Sequence, residues 1–350
     1  MRIVLVDDSI PFDGYSPTSE PLGGAEKAFA YLAAALAKRG HEVAVFNRSP
    51  ARRTMAGAAW EGWQTPPDET DVLIAFRRPS LLGFVPNATR RMLWLAAPAA
   101  LLERPRSQAL LEQYKPVVVF LSVHQFGERA PLDGLQTAII QPGLAADYVE
   151  SPDGAGDLNT PAIVPADPPR AVATTHPLAG LDWLVRLWTG KVHPIAPTAE
   201  LHIYSAVLDR GVLGGDVPEA YADILRQVRN AAGDGVVVHR PLPDPGMAEA
   251  YRSARVHLYP GAKDDIFGWT LAETQAVGLP AVARPLGAVY EQVSDNSTGI
   301  VADDGDAFAN AALRILNDES TFQRISRMAR VTKAGRTWDV VAAEFEDRFQ

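Results

Sequence analysis

The sequence predicts an α/β protein of two successive domains, each a parallel sheet covered by helices. Three observations carry that reading. The chain has 350 residues, and at about 100–200 residues per domain that length divides into two cores. Short apolar runs alternate with amphipathic stretches from the start of the chain. An interval rich in Pro, Gly, Asp and Ala over 151–170 interrupts the rhythm, which then begins again.

The first set of elements starts with a strand at Ile3 to Val6. Gly23 and Gly24 close a Pro/Gly/Ser-rich loop, after which Phe29, Leu32, Ala33 and Leu36 recur at i, i+3, i+4 and i+7. That spacing is the apolar stripe of an amphipathic helix. Gly40 stops the helix in the manner of a glycine just past a C-terminus, and Val43 to Phe46 begins the next strand. A strand–helix–strand unit of this kind implies a right-handed parallel crossover. Val72 to Phe76, Met92 to Leu95, Val117 to Leu121 and Thr137 to Ile140 continue the set.

Beyond the interval, strands are expected at Ala171 to Thr174, Leu201 to Tyr204, Val236 to His239, Val256 to Tyr259 and Ala281 to Ala283. Helices are expected near Trp183 to Trp188, Ala220 to Ala231 and Trp269 to Val277. The domain bounds are therefore placed at 1–155 and 156–335, with a final helix over 336–350. Trp338, Val341, Phe345 and Phe349 fall on one face of that helix. It either covers its own domain or crosses back over the first.

Lys and Arg number 33 against 42 Asp and Glu, a formal net charge of −9, with 47% hydrophobic and 21% charged residues. These are the proportions of an ordinary globular protein. The absence of cysteine excludes disulfide scaffolds, thiolate metal sites and thiol nucleophiles. The acidic balance argues against a nucleic-acid binder, which needs a basic face. No signal-like segment opens the chain, and the uncharged run from Met92 to Leu102 is far shorter than the roughly 20 residues of a spanning helix. The expectation is a cytoplasmic protein, with peripheral contact to the inner membrane face left open.

The stretch Tyr259 to Pro280 carries the most chemistry. A strand ends at Tyr259, a loop holds Asp264 and Asp265, and Gly268 opens a short helix that Gly278 and Pro280 terminate. The N–H groups of Gly268, Trp269 and Thr270 would point out of the helix start, where they suit a phosphate. Glu273 lies about one turn in, and a carboxylate there can accept hydrogen bonds from the vicinal hydroxyls of a ribose. The plainer alternative is that Asp265 and Glu273 only favour the positive end of the helix dipole.

This segment resembles the signature of retaining GT-B glycosyltransferases, the large glycosyltransferase family 4 group. Asp265 and Glu273 enclose seven residues and precede a Gly-Leu-Pro turn. Tyr251 to Pro260, Asp295 to Asp304, Gly23 to Phe46 and Pro197 to Ser205 follow the family's order across nearly the whole chain. The resemblance implies two Rossmann-like domains facing each other across a cleft. A nucleotide-diphospho-sugar would be held by the second domain and an unidentified acceptor (glycan, lipid or small molecule) by the first. Transfer would proceed with retention, without a metal ion and with no cofactor beyond the sugar nucleotide. It implies Glu273 for the ribose, Asp265 for the donor sugar, the Gly268 to Thr270 backbone for the diphosphate, and Gly23 and Gly24 lining the donor. Asp304-Gly305-Asp306 then reads as a loop.

Three positions depart from the family pattern. Thr174 and Ala179 stand where the family carries an Arg and a Lys on the diphosphate, Asp265 replaces a Glu, and Phe76 and Arg77 stand where a strand commonly ends in His. Arg77, Arg78, His176, Arg240 and Lys263 are the candidate substitutes for the absent cations, with Arg240 placed in the donor site. A degenerate member that binds a sugar nucleotide or glycan without turnover is the second reading. A nicotinamide oxidoreductase is disfavoured, since no G-x-G-x-x-G follows a strand.

Six arginines lie between Arg77 and Arg106 against one acid, Glu103. A solvated face is the usual fate of such a run, and a site for anionic groups or acidic lipid is the sharper alternative. His124 and His176 fall near strand ends, and Trp183 and Trp188 read as core.

Overall fold

The computed structural model describes residues 1–49, 52–63, 65–128, 132, 134–149 and 163–350. They form two compact units, one of Met1–Ala145 with Arg336–Gln350 and the other of Ala146–Gly335. The expected boundary at 155/156 lies outside the described residues.

The first unit is built on eight strands. They are β1 (Arg2–Val6), β2 (Glu42–Asn47), β3 (Arg53–Met55), β4 (Ala58–Gly62), β5 (Glu69–Phe76), β6 (Asn87–Trp94), β7 (Val117–Phe120) and β8 (Thr137–Ile139). The order across the sheet is β3-β4-β2-β1-β5-β6-β7-β8. Ile3, Val4, Leu5 and Val6 are all buried, because a central parallel strand is covered on both faces. The β3–β4 hairpin is absent from the sequence reading. Its strands pair antiparallel through Ala56 and Gly57, both at positive φ as a type I′ turn requires.

Helix Gly24–Lys38 buries Phe29, Leu32, Ala33 and Leu36 at 0% exposure, the stripe its spacing predicts. Gly40 (φ 89°) ends it, with its own N–H on Ala37 O at 3.0 Å and the His41 N–H on Leu36 O at 3.3 Å. That pair of bonds is a Schellman cap, and it satisfies carbonyls the helix end leaves open.

The final helix, Trp338–Glu346, belongs to the first unit. Its apolar face (Trp338, Val341, Phe345) is buried, with Trp338 stacked on Tyr31 at 6.0 Å between ring centroids and Phe345 edge-on to Trp94 at 5.2 Å. Glu346 accepts from both Arg39 nitrogens at 2.5 and 2.7 Å and contacts His41 Nε2 at 2.8 Å. Of the two positions the sequence leaves open, the helix takes the one on the first unit.

The second unit has six parallel strands, β9 (Arg170–Ala173), β10 (Glu200–Tyr204), β11 (Val236–His239), β12 (Val256–Tyr259), β13 (Ala281–Ala283) and β14 (Gly299–Val301). Their order is β11-β10-β9-β12-β13-β14. The chain leaves β9 for β10 on one side and reaches β12 on the other, so the strand order reverses between β9 and β12. Such a reversal opens a crevice outside the carboxyl ends of the strands, where ligands of doubly wound sheets bind. Asp304 is the N-cap of helix Gly305–Asn317, accepting the Ala307 N–H at 2.7 Å, so it serves the fold. Among the described residues no helix is long and apolar enough to cross a membrane.

Replacing Phe345 by Ala removes a fully buried aromatic ring and should cost about 3–5 kcal/mol. Urea titration followed by tryptophan fluorescence should show the first unit unfolding earlier, with the second unit's transition unmoved.

Candidate active site

Three loops leave the carboxyl ends of the central strands of the second unit, at 174–180, 260–268 and 284–288. The middle one is shaped by Asp265. Its Oδ1 accepts the N–H groups of Gly268 at 2.8 Å and Phe267 at 3.2 Å, and its Oδ2 accepts the Tyr259 hydroxyl. Burial first, and the Asp265 charge second, push the Tyr259 phenol well above its ordinary range, which keeps it a donor. The Asp265 carbonyl accepts from Ala288 N at 3.0 Å and ties the loop to 284–288. The fit is close: a Cβ at Gly287 (φ 61°) would stand 2.6 Å from that carbonyl oxygen.

Gly268 (φ 74°) turns the chain into helix Trp269–Val277, the bounds the sequence predicts. The geometry changes the expected donor set. The Gly268 N–H is held by Asp265, so it is not available to a phosphate. The N–H groups of Trp269, Thr270 and Leu271 have no acceptor among the described residues. They are the unsatisfied donors of the first turn, and they carry the positive end of the helix dipole. Asp265 itself, expected at a donor sugar, has both carboxylate oxygens occupied in building this loop.

Glu273 lies on the same helical face as Trp269 and Thr270 and is 8% exposed. Its charge acts on the phenols of Tyr148 and Tyr251, which burial raises most and Glu273 and Asp244 raise further. Tyr148 donates its hydroxyl to Asp244 Oδ1 at 2.6 Å. Glu273 is therefore far from a solvated helix-end acid.

Behind the helix opening lies a neutral histidine that the sequence reading missed. His257, on β12 and 0% exposed, bonds Thr174 Oγ1 through Nε2 at 3.1 Å and Thr274 Oγ1 through Nδ1 at 2.9 Å. Thr274 Oγ1 donates to Leu271 O at 3.1 Å, so the proton on the ring must sit on Nδ1 and Nε2 must accept from Thr174. Burial lowers the His257 pKa to about 3. The position where the family pattern has an arginine, Thr174, thus completes an uncharged chain from β9 to the helix.

The candidate cations fall elsewhere. In the first unit, Arg77 Nη2 contacts Glu26 Oε1 at 2.6 Å and Arg78 Nη1 contacts Asp8 Oδ2 at 2.9 Å. Glu26 also folds back over the helix start, where a Cβ on Gly23 would collide with its carboxylate. The Gly23–Gly24 opening therefore already faces an anion of its own chain. Nearby Asp7 is fully buried; burial raises its carboxyl, while the Ser9 hydroxyl and Arg77 pull it back. Of the remaining run, Arg91 donates to the carbonyls of Leu82, Val85, Pro86 and Ala88, and Arg90 to Arg348 O and Gln136. Only Arg104 and Arg106 stand exposed without such partners among the described residues. The arginine run is chiefly internal bonding.

In the second unit, His176 is exposed and takes part in a local turn, with Leu178 N at 3.3 Å and the Tyr221 hydroxyl at 3.3 Å. Lys263 is exposed in the middle loop. Arg240 is exposed after β11, an edge strand separated from β12 by β10 and β9. Trp188 is core as expected, whereas Trp183 is half-buried and carries the guanidinium of Arg284 over its ring at 4.7 Å. Arg284 directly follows the apolar run of β13, and a cation placed there is the signal that would have found it.

Residues 171–318 match the family described as Glycosyl transferases group 1. A D-inositol 3-phosphate glycosyltransferase of Kribbella flavida is 29% identical over 180 residues, 46% of this chain and 42% of that one. The chain thus spans less than half the length of that curated relative. Sucrose-phosphate synthase from Thermosynechococcus elongatus is 18% identical with a TM-score of 0.69, covering 99% of this chain and 97% of that one. Anabaena HepE in complex with UDP-glucose is 14% identical with a TM-score of 0.71, covering 99% and 98%. The fold is the GT-B fold, two Rossmann-like domains in one chain.

The His257 network makes a pH prediction. The unfolded imidazole binds a proton below its ordinary value near 6.5 while the folded one stays neutral down to about 3. Its contribution is therefore present above pH 6.5 and is lost as pH falls, by about 2 kcal/mol between pH 7 and pH 5. Urea titrations at those two pH values should show that loss, and a His257→Gln variant, which cannot titrate, should show a smaller one by that amount.

Proposed function

We propose that this protein is a glycosyltransferase that takes its sugar from a nucleoside-diphospho-sugar bound at the carboxyl edge of the six-stranded sheet. One observation carries the reading: a buried carboxylate, Glu273, sits one turn inside a helix whose opening N–H groups are unoccupied, at the point where strand order reverses. Those donors match a diphosphate, and the carboxylate matches a pair of vicinal hydroxyls on a ribose. The match of residues 171–318 to a glycosyltransferase family supports the same assignment. In the reaction the anomeric carbon breaks its bond to the diphosphate oxygen and forms one to an acceptor hydroxyl on the same face. The acceptor proton leaves with the nucleoside diphosphate, and fixed donors stabilise the charge that develops there. No metal is invoked.

For the acceptor we propose a polyol phosphate, held by the first unit. The support is the likeness to the D-inositol 3-phosphate glycosyltransferase of Kribbella flavida. A second reading, donor binding without turnover, is favoured by Thr174, whose hydroxyl is occupied by His257 where the family pattern has a cation.

Calorimetric titration with UDP, GDP and ADP, followed by a donor-hydrolysis assay on the matching sugar nucleotides, tests both. Glu273→Gln should weaken the nucleotide that binds by about 10–100-fold, from one or two charged hydrogen bonds made neutral. Unchanged affinity in that variant contradicts the assignment. Tight binding with neither hydrolysis nor transfer supports the second reading over the first.

A further inference from the structure

The absent cation pair leaves a diphosphate without a full positive charge beside it, and one side chain of the second unit is placed to supply it. Arg284 is the first residue beyond β13, with its N–H on Tyr259 O at 3.1 Å, so its backbone lies against the end of β12. Its guanidinium reaches the ring of Trp183 at 4.7 Å. Trp183 belongs to helix Leu181–Leu187, which follows β9. β12 lies between β9 and β13, and the Trp183 ring also packs edge-on against Phe308 at 5.1 Å.

The three loops approach one another closely at two glycines. A Cβ on Gly180 would meet Pro260 at 3.1 Å, and one on Gly261 would meet Leu286 at 3.3 Å and Arg284 O at 3.5 Å. The three loops therefore stack on one another without side chains at those points, and the residues after Gly261 lead directly into the helix that opens at Trp269. Arg284 has no carboxylate or hydrogen-bonding partner for its guanidinium among the described residues. The other charged side chains at this edge differ. His176 is held in its own turn, Lys263 is exposed in the middle loop, and Arg240 follows the far edge strand. A half-buried guanidinium with five donors and no anion of its own is suited to a diphosphate by shape and by charge. The Trp183 ring fixes its orientation at little entropic cost.

We propose that Arg284, held against Trp183, is the residue that grips the diphosphate of the sugar nucleotide and replaces the cations missing at Thr174 and Ala179. The inference rests on the donor site described above. It differs from the family pattern in that the charge comes from the loop after β13 rather than from the loop after β9.

The test is isothermal titration of whichever of UDP, GDP and ADP the wild-type protein binds, beside the nucleoside of the same base. Arg284→Ala should weaken the diphosphate by about 10–100-fold and leave the nucleoside unchanged, with Arg284→Lys intermediate. Trp183→Leu, which frees the guanidinium without removing it, should weaken the diphosphate by about 2–5-fold. Circular dichroism of all three variants, and thermal unfolding of the two Arg284 variants, should match the wild type. Equal diphosphate affinity in wild type and Arg284→Ala overturns this inference and leaves the donor-site reading standing. Equal loss for nucleoside and diphosphate also overturns it, since it marks a distorted loop. Failure of the wild-type protein to bind any of the three diphosphates overturns the donor-site reading and this inference with it.

Discussion

Asp265 accepts two hydrogen bonds from its own loop and one from the end of β12, and the shape of the second unit's carboxyl edge follows from them. With both oxygens engaged, the carboxylate pins Phe267 and Gly268 and positions the Tyr259 phenol. The chain must then enter helix Trp269–Val277 through a left-handed glycine. A helix entered in this way has its first acceptor used on the residue before it begins. The next three N–H groups are left facing outward. Asp265, expected at a donor sugar, instead shapes the loop that leaves those three N–H groups open.

Around that opening the electrostatics are divided. Behind it, His257 is neutral and fully bonded between two threonines, so the interior of the site contributes dipoles and no charge. To one side, burial, with Glu273 and Asp244 adding to it, holds the phenols of Tyr148 and Tyr251 in their protonated form. Arg284 carries a positive charge against Trp183 with no carboxylate partner among the described residues. The first unit shows the opposite arrangement at its equivalent strand ends, where Arg77 and Arg78 are each paired to an acid and Glu26 covers the helix start. The first unit's glycine pair is therefore already faced by a carboxylate of its own chain.

Much of this was legible in the residues. The helix stripe of Phe29 to Leu36, the Gly40 stop and the helix between Gly268 and Gly278 are local patterns, and local patterns are set by backbone sterics and periodicity. Spacing also places Glu273 one turn inside that helix, where the structure has it. β14 was not read, nor was the β3–β4 hairpin, whose strands Arg53–Met55 and Ala58–Gly62 contain no Val or Ile and include charged residues. The Gly268 amide was misjudged for a different reason. Sequence shows which N–H groups a helix leaves open, but which of them a neighbouring carboxylate takes depends on a turn that only coordinates define. The same holds for Arg77, whose partner Glu26 is 51 residues away, and for Arg284, which is meaningful only once β13 is known to lie beside β12.

The most direct measurement is a TROSY titration of the amide-labelled protein with the nucleoside diphosphate it binds, compared with the nucleoside alone. The account predicts that the Trp269, Thr270 and Leu271 amide resonances move with the diphosphate and stay in place with the nucleoside, while Gly268 changes little. Saturating diphosphate that leaves those three resonances unmoved would contradict it.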